Sequence, residues 1–221
     1  MKGELPESLL LAAREYLWLL SRRYPQNASL KLVGDKFMLS RDMRQVLYRG
    51  IASEEKAYER RHKIGPVTKG ELVLVDAYNV LFTVNNYLLG KPLFISNDGL
   101  LRDAGEMRGR ITNKPVFNRS VGLLLDTLKE WAGSTFILYM DEPVSNSGSL
   151  SVILSTDMAR MNIDGEALTV KSPDHMLKHE QSDAICTSDS AIIDFYHGKV
   201  IDLPRFILEK FYQTEFPSLM M

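Results

Sequence analysis

Three aspartates in this chain stand where an apolar run gives out. Asp76 closes LVLVD, Asp141 closes FILYMD, and Asp189 follows AICTS. One such residue is more often a helix N-cap than a catalyst. Three at the same end of one sheet shift the balance toward a site. Two carboxylates about 4 Å apart repel by roughly 4 kcal/mol at an effective dielectric near 20. A cluster must therefore raise its own pKa values or take up a cation. With no paired cysteines and no obvious histidine set, the ligands are hard oxygens, which suit Mg²⁺ or Mn²⁺ better than zinc. Such an ion binds phosphates, acidifies water and stabilises a leaving oxygen. The chemistry these residues predict is metal-dependent cleavage of a phosphodiester.

Other stretches carry charge or ligand spacing. DGLLRDAGEMRGR, 98–110, mixes Asp98, Asp103 and Glu106 with Arg102, Arg108 and Arg110. Arginines beside metal ligands hold phosphates by forked hydrogen bonds; the alternative is a solvated loop whose charges cancel. SNSGSL, beginning at Ser145, offers backbone N–H groups to an anion at the start of a helix. Ordinary capping by Ser147 or Ser149 explains it equally well. It lacks a P-loop lysine, and no G-x-G-x-x-G occurs, which argues against nucleotide cofactors. HMLKH sets His175 and His179 four apart, but Met176 stands where H-E-x-x-H has its glutamate. Cys186 lies mid-strand and is expected to be a packing residue.

Elements that position these residues can be read from periodicity. Leu9, Ala12, Ala13, Tyr16, Leu17 and Leu20 make one apolar helix face, and Pro25 ends it. A second helix lies within NASLKLVGDKF. A third follows Ser40 and a fourth follows Ser53, both as N-caps. The fourth has acids first and Arg60, Arg61 and Lys63 last, in the order the helix dipole favours. It has little apolar face, so it bridges domains or meets something charged. After GPVTKGE, short apolar runs predict strands at 71–75, 135–140, 167–171, 184–187 and 199–202. Helices are predicted near 117–132, 149–161, 189–196 and 204–212. This alternation argues for α/β architecture with a parallel sheet covered on both faces. Segment 82–116 resists assignment and reads as a functional excursion.

Composition bounds the rest. The 221 residues are 45% hydrophobic and 25% charged, as in a soluble globular protein. A single cysteine suits a reducing compartment, no apolar run is long enough for a membrane span, and the acidic N-terminus does not read as a secretory signal. A cytoplasmic protein with no membrane partner is expected. The net charge of −1 hides an asymmetry: residues 1–70 carry 14 Lys and Arg against 8 Asp and Glu, and the remainder is acidic. Arg41, Arg44, Arg49, Arg60 and Arg61 would contact phosphates if the basic half meets a polyanion. Tyr48 and Tyr58 lie among them. Packing between helices is the first expectation for both, and base stacking the alternative.

LVLVDAYNVL resembles the first motif of PIN-like nucleases, particularly the NYN branch, where a strand ends in Asp-Gly-Tyr-Asn. Ala77 stands in place of the glycine. TSDSAIID resembles their later motif, a strand running into Thr/Ser-x-Asp and a helix. The whole chain, with LKLVGDKFMLSRDMRQVLYRG in front and MDEPVSNSGSL in the middle, is similar to the domain of unknown function 434. The resemblance implies a helical basic module over 1–66 and a PIN-like α/β domain over 70–221. That domain would be three layers, α/β/α, around a central parallel sheet.

It further implies Asp76 as first metal ligand, with Asn79 orienting it or a phosphate. Asp189 would be a later ligand, with Ser188 and Ser190 hydrogen-bonding nearby. Asp141 occupies a strand end where related enzymes have an acid, and Asp194 is a further ligand or a surface residue. The central helix acid of PIN domains has no direct match, and Asp103 or Glu106 is the candidate. The function so implied is a Mg- or Mn-dependent ribonuclease acting on single-stranded or structured RNA, with a homodimer as the family-based assembly. Two alternatives stand beside it. One is a catalytically inactive PIN-like module that binds RNA or protein. The other is a phosphatase-like hydrolase, whose usual D-x-D start is absent because Tyr78 holds the second position.

Overall fold

A computed structural model of the chain describes residues 5–104, 111–142, 144 and 147–220. It opens with four helices, α1 (Glu7–Ser21), α2 (Gln26–Lys36), α3 (Arg41–Gly50) and α4 (Glu54–Lys63). Ser40 and Ser53 cap α3 and α4 through the backbone N–H groups of Met43 and Lys56. The apolar face of α1, with Leu9, Ala12, Ala13 and Tyr16, meets Val33, Val46 and Leu47 of α2 and α3. Phe94 and Leu219, from much later in the chain, complete this cluster. Gly50 lets them in: a Cβ there would lie 2.5 Å from the Leu219 side chain and 2.6 Å from that of Phe94.

The rest of the chain follows as β1 (Leu72–Asp76), α5 (Ala77–Leu88), β2 (Leu93–Ile95), β3 (Leu101–Asp103), α6 (Lys114–Glu130), β4 (Thr135–Asp141), α7 (Ser147–Arg160), β5 (Gly165–Val170), α8 (Pro173–His179), β6 (Ala184–Cys186), α9 (Ser190–Phe195), β7 (Lys199–Val200) and α10 (Leu203–Tyr212). Five strands form one parallel sheet in the order β5-β4-β1-β6-β7. Alternate residues of β1 serve opposite layers. Val73 and Val75 enter the cluster built with α5, α6, α7 and α10. Leu74 joins Leu177 of α8 and Ile192 and Ile193 of α9 on the other face. The architecture is thus a central parallel five-stranded sheet between helical layers, preceded by an all-helical region.

Segment 82–116, unassigned from sequence, takes regular elements where it is described, with 105–110 outside the described residues. It completes α5, adds an antiparallel β2–β3 ribbon and enters α6. Residues 78 and 80–86 of α5 are buried, so polar-apolar periodicity is faint. The ribbon strands are three residues each, too short for a period to register.

β1 is the pivot of the sheet. The chain builds outward from it to β4 and β5, then returns to lay β6 and β7 on its other side. The order reverses at β1, and in open α/β sheets ligands bind beyond the carboxyl ends of strands at such a point.

Candidate functional site

Asp76 stands at that point. It ends β1 and caps α5, its Oδ1 accepting the Asn79 N–H at 3.3 Å. Its Oδ2 accepts the Thr187 hydroxyl at 3.0 Å, while Thr187 Oγ1 accepts the Asp189 N–H at 3.1 Å. Asn79 Oδ1 in turn accepts both the N–H and the hydroxyl of Ser188, at 2.9 and 3.1 Å. The end of β1 and the loop after β6 are therefore one hydrogen-bonded piece. Asn79 acts there as a clasp on the Ser188 loop. Asp189 caps α9 with Oδ1, which accepts the N–H groups of Ala191 (2.7 Å) and Ile192 (3.4 Å).

Asp141 lies on the neighbouring strand, two residues beyond Tyr139, the partner of Asp76. Strand spacing and rise place its Cα roughly 8 Å from that of Asp76. A fourth acid comes from α8, whose residues contact β1 and β4. This is Asp174, in the first turn of that helix. Neither Asp141 nor Asp174 makes a side-chain hydrogen bond or ion pair among the described residues. Burial, joined by the charges of Asp174 and Asp189, pushes the Asp76 carboxyl up to about 7 against the bonds from Asn79 and Thr187. Asp141 is also raised, by burial and then by Asp174. Asp174 escapes sequence reasoning because it closes no apolar run. The signal was present in S-P-D: Ser172 caps a helix beginning at Pro173, just past the carboxyl end of β5.

Other acids lie elsewhere. Asp103 pairs with Arg49 at 2.7 Å and accepts from Asn86 at 3.2 Å. Asn86 is ten residues along α5 from Asp76, about 15 Å of helix. Asp103 is therefore not brought to the Asp76 end as the missing central acid. Asp194 is taken by Arg60 Nε (2.6 Å) and Lys56 (2.9 Å), which ties α9 to α4 rather than to the other acids. Arg44 turns away, to Asp35 at 2.9 Å and the Leu39 carbonyl at 3.0 Å. Glu106, Arg108, Arg110 and Ser145 lie outside the described residues.

Arg102 and Arg60 are buried around Asp98, at 2.7 and 3.0 Å. Asp98 also accepts from the Ser96 hydroxyl and the Leu100 N–H. Burial alone would raise its pKa, but Arg102, Ser96 and Arg60 pull it below the usual carboxylate range. Ser190 Oγ accepts from both arginines, at 3.2 Å from Arg60 and 2.8 Å from Arg102. The polar fourth helix thus both bridges regions and meets charge. Tyr48 and Tyr58 are 41% and 59% exposed, so neither is the helix-packing residue first expected. His175 and His179 meet at a tilt of 46° and His179 meets Phe195 edge-on, while Cys186 is fully buried.

Among the described residues, no three of His, Cys, Asp and Glu stand close enough to bind a metal ion together. A dication that keeps its waters asks for fewer ligands. Mg²⁺ keeps several waters and needs only one or two carboxylates. Asp174 and Asp189 repel Asp76, and Asp174 repels Asp141, a repulsion that a hydrated dication would relieve.

The family described as "Domain of unknown function (DUF5616)" matches residues 67–206, and "Protein of unknown function (DUF434)" matches residues 8–63. The latter bears out the resemblance to domain 434 over the helical region alone; the α/β region, expected to share it, matches the other family, and neither description is of a PIN-like nuclease. The chain is 28% identical over 199 residues to "Uncharacterized protein MJ0935" of Methanocaldococcus jannaschii, covering 89% of this chain and 94% of that protein. No solved structure matches. No helix among the described residues is long and apolar enough to cross a membrane.

Proposed function

Since the chain belongs to the DUF5616 family, whose description leaves activity open, we propose a function from the site itself: metal-dependent hydrolysis of RNA phosphodiester bonds. The observation that carries this reading is the gathering of Asp76, Asp141, Asp174 and Asp189 at the carboxyl end of a parallel sheet, where its strand order reverses. A PIN-like fold and a cytoplasmic location belong to the same reading. The D-A-Y-N and T-S-D-S motifs support the fold, and a buried lone cysteine is compatible with the location.

Each residue has a stated task. Asp76 and Asp189, fixed by Thr187 and by their helix caps, would hold a Mg²⁺ or Mn²⁺ ion, with Asp141 and Asp174 supplying further negative charge. Such an ion, when bound, neutralises the scissile phosphate and acidifies an attacking water. Asn79 keeps the Ser188 loop in register with Asp76. Arg49, Arg60 and Arg102 lie on the side of Asp189 from which a polyanionic strand would approach, since all four line one cavity.

A second reading, a PIN-like module that binds RNA or protein without cutting, draws on one observation: the described acids do not form a three-ligand group. Labelled single-stranded RNA incubated with Mn²⁺ separates the two. Hydrolysis is expected from the wild type, with a loss of about 100-fold or more in Asp76→Asn. Degradation that survives the substitution rules out the nuclease reading, and salt-sensitive binding without degradation by wild type selects the second.

A further inference from the structure

A cavity of about 710 Å³ opens between the helical region and the sheet domain. Its size lies within the roughly 300–1,000 Å³ typical of ligand pockets. One wall comes from the loop after α1 and from α3, with Arg23, Tyr24 and Tyr48. The facing wall is Ser188, Asp189 and Ser190. Between them lie Arg60 and Arg102, already locked by Asp98 and Ser190. Those arginines form a fixed, polar floor, and the Arg102 Nε is buried with no hydrogen-bond partner.

Two features of the outer wall are unspent by the fold. Tyr24 and Tyr48 are 53% and 41% exposed, although each has a ring large enough to bury. The Gln26 side-chain amide donates to the Tyr48 carbonyl at 3.3 Å, which steadies the backbone and leaves the ring at the cavity. The Arg23 side chain makes no hydrogen bond or ion pair among the described residues, and its residue is held at φ 64°, in the left-handed region. Aromatic faces beside uncommitted cations are the means by which proteins seat single-stranded nucleic acid.

We propose that this cavity seats a nucleotide of a single-stranded RNA substrate, its base against Tyr48 and Tyr24 and its phosphate toward Arg23. The inference deepens the nuclease reading and rests on it for direction. The far wall is the loop that Thr187 and Asn79 tie to Asp76, so a strand seated here would lead its next phosphodiester to Asp76 and Asp189. The helical region would then be a substrate-reading part rather than a stabilising appendage.

Binding can be separated from cutting. Fluorescence anisotropy of a labelled single-stranded RNA five-mer, with the full chain in EDTA, reads the cavity alone. Tyr48→Ala is expected to weaken binding about tenfold, as for loss of a stacked base, and Tyr48→Phe to bind as wild type. Arg23→Ala should lower the log–log salt slope by about 0.7, one phosphate contact on a single strand. Tyr58→Ala, exposed but outside the cavity, should bind as wild type. Tyr24→Ala gives a second reading should Tyr48→Ala melt early. The proposal is overturned if wild type does not bind, or if both cavity tyrosines can be replaced without loss. Equal losses in Tyr48→Ala and Tyr58→Ala overturn it too. The nuclease reading fails separately: cavity-dependent binding with no Mn²⁺-stimulated cleavage sinks that reading and leaves the cavity assignment standing. Cleavage with unchanged kcat/KM in the Tyr48→Ala, Tyr24→Ala double variant does the reverse.

Discussion

Asp98 and Asp76 are both aspartates removed from bulk water, and they have opposite fates. Asp98 is ringed by Arg60, Arg102, the Ser96 hydroxyl and a backbone N–H, and its pKa is lowered. Asp76 has two neutral donors and two negative neighbours, and its pKa rises to about 7. Where the fold needs a buried acid it supplies cations. At the β1 end of the sheet it supplies more acids. A raised pKa does not by itself mark a site, since Asp202 also rises to about 7 while simply capping α10 and accepting the Leu101 N–H. What distinguishes the Asp76 end is several carboxylates gathered with no ion pair to Lys or Arg among the described residues.

The sharpest way to break that comparison is Asp98→Ala. It strands Arg102 as a buried cation with no carboxylate and leaves Arg60 with Asp194 alone, so unfolding free energy should drop by about 3–5 kcal/mol in a urea titration. A change under 1 kcal/mol would mean the network is not structural.

Asp76→Asn should act in the other direction, and less strongly. In the native state Asp76 titrates near 7, against an ordinary value of 3.8. Between those values the native state holds a proton that the unfolded chain has lost, so stability falls as pH rises from about 4 to about 7 and then levels. Asp202 adds a second such fall, while the stability that Asp98 contributes is lost below about pH 4. Asn keeps the α5 cap and removes one of the two falls. At pH 8 the variant should be more stable than wild type by about 1–2 kcal/mol, with the difference vanishing near pH 4. Equal stability at both pH values would show that Asp76 carries no uncompensated charge.

How much of this was legible depends on whether a signal was local. Ser40 and Ser53 announced α3 and α4 because a cap and the N–H that donates to it are three residues apart. Strands β1, β4 and β6 showed as apolar runs because strands buried on both faces carry little else. Helix α5 did not, since a helix buried on nearly all sides has no polar stripe. Asp76, Asp141 and Asp189 could be named from strand ends. The Asp98 network could not, because Arg60 lies 38 residues away and only the fold joins them. The exposure of Tyr48 was likewise invisible, since an aromatic on an apolar helix face looks the same whether it is covered or left at a cavity.

The gathering of acids around Asp76 can be tested without any substrate. Titrating Mn²⁺ into the protein at pH 7.5 and following the free-ion signal by electron paramagnetic resonance measures the binding site itself. The account predicts that wild type takes up Mn²⁺ and that Asp76→Asn and Asp189→Asn each weaken uptake about tenfold or more, while Asp103→Asn does not. Mn²⁺ held as tightly by Asp76→Asn as by wild type would contradict it.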